Sequence, residues 1–439
     1  MASQFRRILF RRDTLRAFIR VLKTEGPVAT WRRGWAFIRR AKAIAYVNNA
    51  PAPDHPFPLI QFWTDISSAN AMTTQKAPAL LTRKRVIAMI GDLNLPQCKK
   101  YRIEQPTELW ATVGVDYRFA HYQDSPRCFD IMQGATHLML YRLQRHDLVT
   151  NYLYEARRLR LPILYDIDDP LFSVEAYATY GNMAVLPGDL KHHFLAQAPL
   201  YLDILNAADI TSFSTPGLRD HAMSLSPRPA FVRRNFADHD TLDAGKLAMQ
   251  SAQTESARAQ GFTLCYASGS QGHEVDFQII APQVESFLAA APDRKLLVLG
   301  HFRAELLSDG LRSRIETQPF SDYAAYLGHL ARADAAVMPL ADDLFNRCKS
   351  AVRVIDAAAV GVPAIVGNVG DFATMIDPGQ TGFIATTPKD WSTAFETLAA
   401  EKATATAMGR KARLALEDQW SARASRPIID PELVRWVKE

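Results

Sequence analysis

Residues 345–350 read Phe345-Asn346-Arg347-Cys348-Lys349-Ser350 and lead into an apolar-periodic run, Ala351–Val360, that predicts a helix. A helix N-terminus presents unpaired N–H groups and partial positive charge, and so favours a phosphate. Lys349 adds a full cation and Ser350 a hydroxyl donor, with Asn346 in the same loop and Arg353, one turn on, as a second cation. Asp356 follows Arg353 by three residues; its carboxylate can accept from two vicinal hydroxyls of the kind a ribose offers. A structural reading stands beside this one, in which Ser350 caps the helix and Asp356 is a surface carboxylate.

A second loop, Ser268-Gly269-Ser270-Gln271-Gly272-His273, follows the apolar run LCYA. Its two glycines allow close backbone approach to a ligand, as phosphate-cradling loops require. It is neither a Walker motif nor GxGxxG, and His273 also reads as a capping or packing residue. Asp166-Ile167-Asp168-Asp169 closes a third apolar run. Carboxylates at D-x-D spacing can hold a hard divalent cation, which prefers oxygen ligands. A strand end facing a cleft equally makes Asp168 and Asp169 catalytic or acceptor-side groups. Arg102 and Arg142 are acceptor-side candidates, able to steer an anion such as a lipid-linked pyrophosphate.

These residues need elements to hold them. Short apolar runs alternate with amphipathic ones from Arg85 onward, the signature of parallel α/β architecture. Strands are expected at 86–90, 137–141, 162–165, 209–213 and 230–235. A polar stretch, Ser251 to Arg258, separates them from a second series at 263–267, 295–299, 335–338 and 363–366. Two Rossmann-like halves in one chain place ligands in the cleft between them, at the carboxyl ends of the strands. The expected organisation is a basic helical arm (1–48), a proline-rich linker (49–82), a first half (83–250), a second half (251–425) and a tail (426–439).

At 439 residues the chain is long enough for two or three domains, and 48% hydrophobic with 22% charged residues is a folded composition. Cys98, Cys128, Cys265 and Cys348 stand far apart, which argues against a zinc site or disulfide framework and suits a reducing compartment. Neither a signal peptide nor an apolar run of about 18 residues is read in the chain. Residues 1–42 carry twelve Lys/Arg against Asp13 and Glu25, whereas the whole chain has a net charge of only +5. The basic character therefore belongs to one end, and a nucleic-acid-binding body is not implied. Within this arm Ile8, Leu15, Phe18, Ile19 and Leu22, then Trp31, Trp35 and Ile38, recur at helical spacing beside basic faces, broken at Gly26-Pro27. That suits an anionic membrane surface, and equally a helix packed on a partner or on the protein body.

The segments "LCYASGSQGHEVDF", "LLVLG", "FSDYAAYLGHLARADAAVMPLADDLFNRCKSAVRVIDAAAVGVPAIVG" and "GQTGFIATTPKDW" closely resemble the C-terminal domain of bacterial GT-B glycosyltransferases of the group 1/family 4 type. "CKKYRIEQPTELWATVGVDY", "LMLYRLQRHDLVTNYLYEARRLRLPILYDIDDPLF" and "AADITSFSTPGL" resemble the first domain of such enzymes, so the likeness spans residues 85–420. It implies a GT-B fold, two Rossmann-like domains facing a central cleft, with no cofactor or catalytic metal. It further implies a nucleotide-sugar donor on the second half, a glycan or lipid-linked glycan acceptor on the first, and retention of anomeric configuration. The family's diphosphate-binding arginine and lysine fall on Ser268 and His273, and its paired glutamates on Cys348 and Asp356. The expected donor site is then Ser268, Gly269, Ser270, His273, Asn346, Lys349, Ser350, Arg353 and Asp356, with Asp168, Asp169 and His273 as catalytic candidates. The expected setting is the cytoplasmic face of the inner membrane, in polysaccharide synthesis. The lost arginine, lysine and glutamate keep open a non-catalytic scaffold on this fold; a sugar-nucleotide epimerase is a further alternative.

Overall fold

A computed structural model describes residues 84–256, 261–269 and 274–439, with scattered positions between 19 and 35. The chain divides into two compact units, 1–73 and 74–439. In the first unit the described positions are helical, and Gly26 takes φ +81° just before Pro27, where the sequence predicts a break. Trp31 and Trp35, one turn apart, stack with ring centroids 6.3 Å apart. The rest of the arm and the linker through residue 82 lie outside the described residues.

The second unit holds two six-stranded parallel sheets. The first comprises β1 (Val86–Gly91), β2 (Asp116–His121), β3 (His137–Tyr141), β4 (Ile163–Ile167), β5 (Ile210–Phe213) and β6 (Ala230–Val232), in the order β2-β1-β3-β4-β5-β6. The second comprises β7 (Phe262–Gly269), β8 (Arg294–Gly300), β9 (Ile315–Gln318), β10 (Ala335–Met338), β11 (Ala364–Gly367) and β12 (Gly382–Ala385), in the order β12-β11-β10-β7-β8-β9. Central strands are buried throughout, as VIAMIG in β1 and AIVG in β11 are, because helices cover both faces of a parallel sheet. The strand order reverses between β1 and β3 and again between β7 and β10. Those switch points open crevices at the carboxyl ends of the strands, where residues 92–98, 142–146 and 339–351 lie.

The halves are joined twice. The chain leaves the first half through 233–238 into the helix His239–Ser256, and comes back through 420–430 into the helix Pro431–Lys438. The two crossings run side by side, Ala237 N donating to Trp420 O at 2.7 Å and Arg234 N to Ile428 O at 2.9 Å. The helix His239–Ser256 packs its Ala244, Ala248 and Met249 on the second half, although the sequence puts most of it in the first. Residues 426–439, expected as a tail, instead return Leu433 and Val437 to the core of the first half. That same core continues into Ile355, Ala358 and Leu416 of the second half.

Candidate donor and acceptor site

The loop after β10 is held by its own side chains. Asp343 caps the short helix Leu344–Arg347, accepting from Asn346 N at 2.8 Å. Asn346 is fully buried and donates its amide to Ala341 O at 3.0 Å, Asp343 Oδ2 at 3.2 Å and Asp276 Oδ1 at 3.4 Å. Its amide nitrogen is therefore committed to the loop rather than held out to a donor.

Lys349 lies just beyond. Its ammonium is 5.2 Å from the ring centroid of Phe345 and 5.7 Å from that of Tyr180, and among the described residues it forms no ion pair. Burial works against its charge, but Tyr180, Asp169 and Asp276 outweigh that and hold its pKa above the ordinary lysine value. Ser350 Oγ accepts from Asn235 Nδ2 of the first half at 2.9 Å. The N-cap position of the helix Val352–Ala359 is Ala351, with no side-chain cap hydrogen bond, so Ser350 is not its N-cap. Arg353 is half-buried on the first turn. Cys348 is buried, and burial, with Asp169 and Asp343 nearby, pushes its thiol up to about 12, so it is neutral. Its carbonyl accepts from Thr215 Oγ1 at 2.9 Å.

Asp356 departs from the expected ribose contact. It is buried, and its carboxylate accepts from the hydroxyls of Tyr101, in the first half, and Tyr323, the latter at 2.7 Å. Burial raises its pKa to about 6, while the hydrogen bonds from Tyr101 and Tyr323 and the nearby Lys100 act in the opposite direction. Lys100 lies 4.4 Å above the Tyr323 ring and 3.4 Å from Asp238. The carboxylate faces a polar hub between the halves, not an open cleft. Ser268 also differs from expectation: it is buried at the end of β7 and its hydroxyl donates to the carbonyls of Leu299 and His301. Only its backbone and that of Gly269 remain as donor-side groups. Ser270 and His273 lie outside the described residues.

In the first half, Arg142 ends β3 at φ +51°, a conformation rare for a non-glycine residue. One nitrogen, Nη1, lies 3.0 Å from both Asp168 Oδ1 and Asp169 Oδ2, so this guanidinium is already balanced by two carboxylates. The expectation for Arg102 is corrected outright. Its side chain has no exposed surface, and its Nη2 lies 2.7 Å from both oxygens of Asp166. Arg233 Nη2 meets Asp166 from the other side at 2.8 Å, and Ser212 donates to it as well. An ion pair this deep costs desolvation that only dense pairing offsets, so Arg102 and Asp166 tie the helical segment Lys99–Glu104 to β4 and neither reaches an acceptor. Asp169, by contrast, acts electrostatically on both Lys349 and Cys348. The fold thus brings the 168–169 and 348–350 segments together across the cleft and leaves Asp356, Ser268 and Arg102 apart.

Residues 263–401 match the family model for glycosyl transferases group 1. The match covers less than half of the chain, and the likeness is that of the second half to this family. No curated protein sequence matches the chain. Among solved structures, Anabaena Alr3699/HepE with UDP and glucose superposes at a TM-score of 0.51 and 12% identity, covering 77% of this chain and 96% of that one. The same protein with UDP-glucose gives 0.50 and 13%, over 77% and 96%. Identities this low speak for the fold alone, and that fold is GT-B. Across the two halves, Tyr180, Asn235, Asp276 and Phe345 line the candidate site and were missed by sequence reasoning. Asp276 and Phe345 stood inside quoted motifs but without a role, and nothing in the sequence pairs Tyr180 with a residue 165 positions away.

Proposed function

We propose that this protein transfers a sugar from a nucleotide-sugar donor to a growing cell-surface polysaccharide or lipid-linked glycan. The observation that carries the reading is Lys349: a cation without an ion-pair partner among the described residues, beside a helix start, at a switch-point crevice of the half that matches the group 1 family. A diphosphate there would supply the missing negative charge, with Ser350 and Arg353 in support and the backbone at the end of β7, Ser268 and Gly269, as the second wall. Such groups stabilise charge as the sugar–phosphate bond breaks, while Asp168 and Asp169 face the acceptor side. We read the reaction as retaining and metal-independent; in support, the first carboxylate of the D-x-D is spent on Arg102 and Arg233. The arm would rest on an anionic membrane at the cytoplasmic face. Val28, Trp31 and Trp35 are exposed there among the basic residues, and no described helix is long and apolar enough to cross a membrane.

Thermal melting against UDP-, GDP-, dTDP- and CMP-sugars, with and without EDTA, tests the donor site. A donor at 100 times its Kd stabilises by about 2.7 kcal/mol, a shift expected to survive EDTA and to vanish in Lys349→Ala. No shift with any donor favours the scaffold alternative, and a shift lost with EDTA removes the metal-independent reading.

A further inference from the structure

The first half reaches the second through one segment that the donor reading does not use. Ser173 caps the helix Val174–Thr179, accepting from Ala176 N at 3.0 Å, and a 3-10 turn Gly181–Val185 follows. Between them Tyr180 lays its ring flat on Phe345, with centroids 4.1 Å apart and planes within 10°. The neighbouring residues fix that placement from both sides. Gly181 N donates to Asp343 Oδ2 at 3.2 Å. Asn182 Nδ2 donates to Asp276 Oδ2 at 3.2 Å and to the Tyr180 hydroxyl at 2.8 Å. Asp276 is fully buried and also takes Ala341 N at 2.9 Å, so the ring is referenced to the backbone of the donor loop.

The Lys349 ammonium lies against both stacked rings, 5.2 Å from the centroid of Phe345 and 5.7 Å from that of Tyr180. An ammonium on a flexible four-carbon stem is otherwise free to wander, and the face of an aromatic ring attracts it. We propose that Tyr180 is a positioning residue for the donor diphosphate: with Phe345 it holds Lys349 in place, and it does so from the opposite half. The inference rests on the donor-site reading above. It makes cation placement depend on the acceptor half, so the donor half alone does not complete its own phosphate site.

Titration calorimetry with UDP, GDP, dTDP and inorganic pyrophosphate tests this on the full chain. Tyr180→Phe keeps the ring and is expected to bind like the wild type. Tyr180→Leu keeps bulk without a π face and is expected to weaken both the best nucleoside diphosphate and pyrophosphate by roughly fivefold, the scale of a cation–π contact. In the Lys349→Ala background the same change is expected to do nothing further. Matching melting temperatures separate this from a folding defect. Equal or tighter binding by Tyr180→Leu, an equal loss in Tyr180→Phe, or full additivity with Lys349→Ala overturns the role of Tyr180 while leaving the donor site standing. Wild-type protein that binds none of the four probes overturns the donor site and this inference together.

Discussion

A carboxylate at the same position along a helix means different things depending on what surrounds it, and Asp356 is the case in point. Tyr101 and Tyr323 surround it with hydroxyls, Lys100 sits nearby, and burial still dominates, so its carboxyl is raised to about 6. In the unfolded chain an aspartate titrates at about 3.9. The folded state therefore binds the proton more tightly, and its stability rises as pH falls through 6, levelling off near 4. Relative to Asp356→Asn, the wild type is expected to gain about 1 kcal/mol between pH 7 and pH 5. Urea melts of both proteins at the two pH values measure it; identical pH dependence would remove Asp356 from this role. The sequence made Lys349 legible because a cation next to a helix start is a local pattern. It could not reveal the fate of Asp356, whose partner Tyr101 is 255 residues away, or of Arg102, which pairs with a carboxylate 64 residues on. Side chains committed by tertiary contacts look, in sequence, like side chains available to a ligand.

At the scale of elements, legibility followed burial. The apolar strands β1, β3, β7, β10 and β11 lie in sheet interiors and could be read as continuous hydrophobic runs. The strands β2 and β9 are at sheet edges, with polar residues as in DYRFAH and IETQ, and gave no such signal, and β12, also at an edge, is only the four residues GFIA. Helix packing depended on glycine in a way the pattern did not announce. Gly245 lies in the helix His239–Ser256, where an added Cβ would sit 2.2 Å from Ala359 O. That contact sets the linking helix against Val352–Ala359, the helix whose start carries the candidate phosphate site. Gly245→Ala forces the two apart and is expected to cost about 1–3 kcal/mol, as overpacking does. A loss of that size in urea, with donor binding weakened alongside it, would tie helix spacing to the site. Unchanged stability would mean that the linking helix shifts freely.

For the whole molecule, the consequence is that the first half is not a contiguous piece of chain. The last helix, Pro431–Lys438, belongs to the first half although it follows the second half in sequence. Arg85 of the first half binds the carbonyl of Lys438 at 3.0 Å, and Asp430 N donates to Val232 O at 2.9 Å. Leu433 and Val437 are wholly buried there, within the core that also receives Ile355 and Leu416. A tail would tolerate truncation, but this segment closes the first half and anchors one of two adjacent crossings. Leu433→Ala leaves a cavity in that shared core and is expected to cost about 2–5 kcal/mol. Because the core runs through both halves, the loss should appear as one cooperative transition, followed alike by circular dichroism and by the fluorescence of Trp110 in the first half and Trp391 in the second, each read in a chain whose other tryptophans are phenylalanine. Two separated transitions, with only the Trp110 signal moving to lower urea, would mean that the halves unfold independently. Coupling between them, which the placement of Lys349 by Tyr180 requires, would then have to come from the cleft contacts alone.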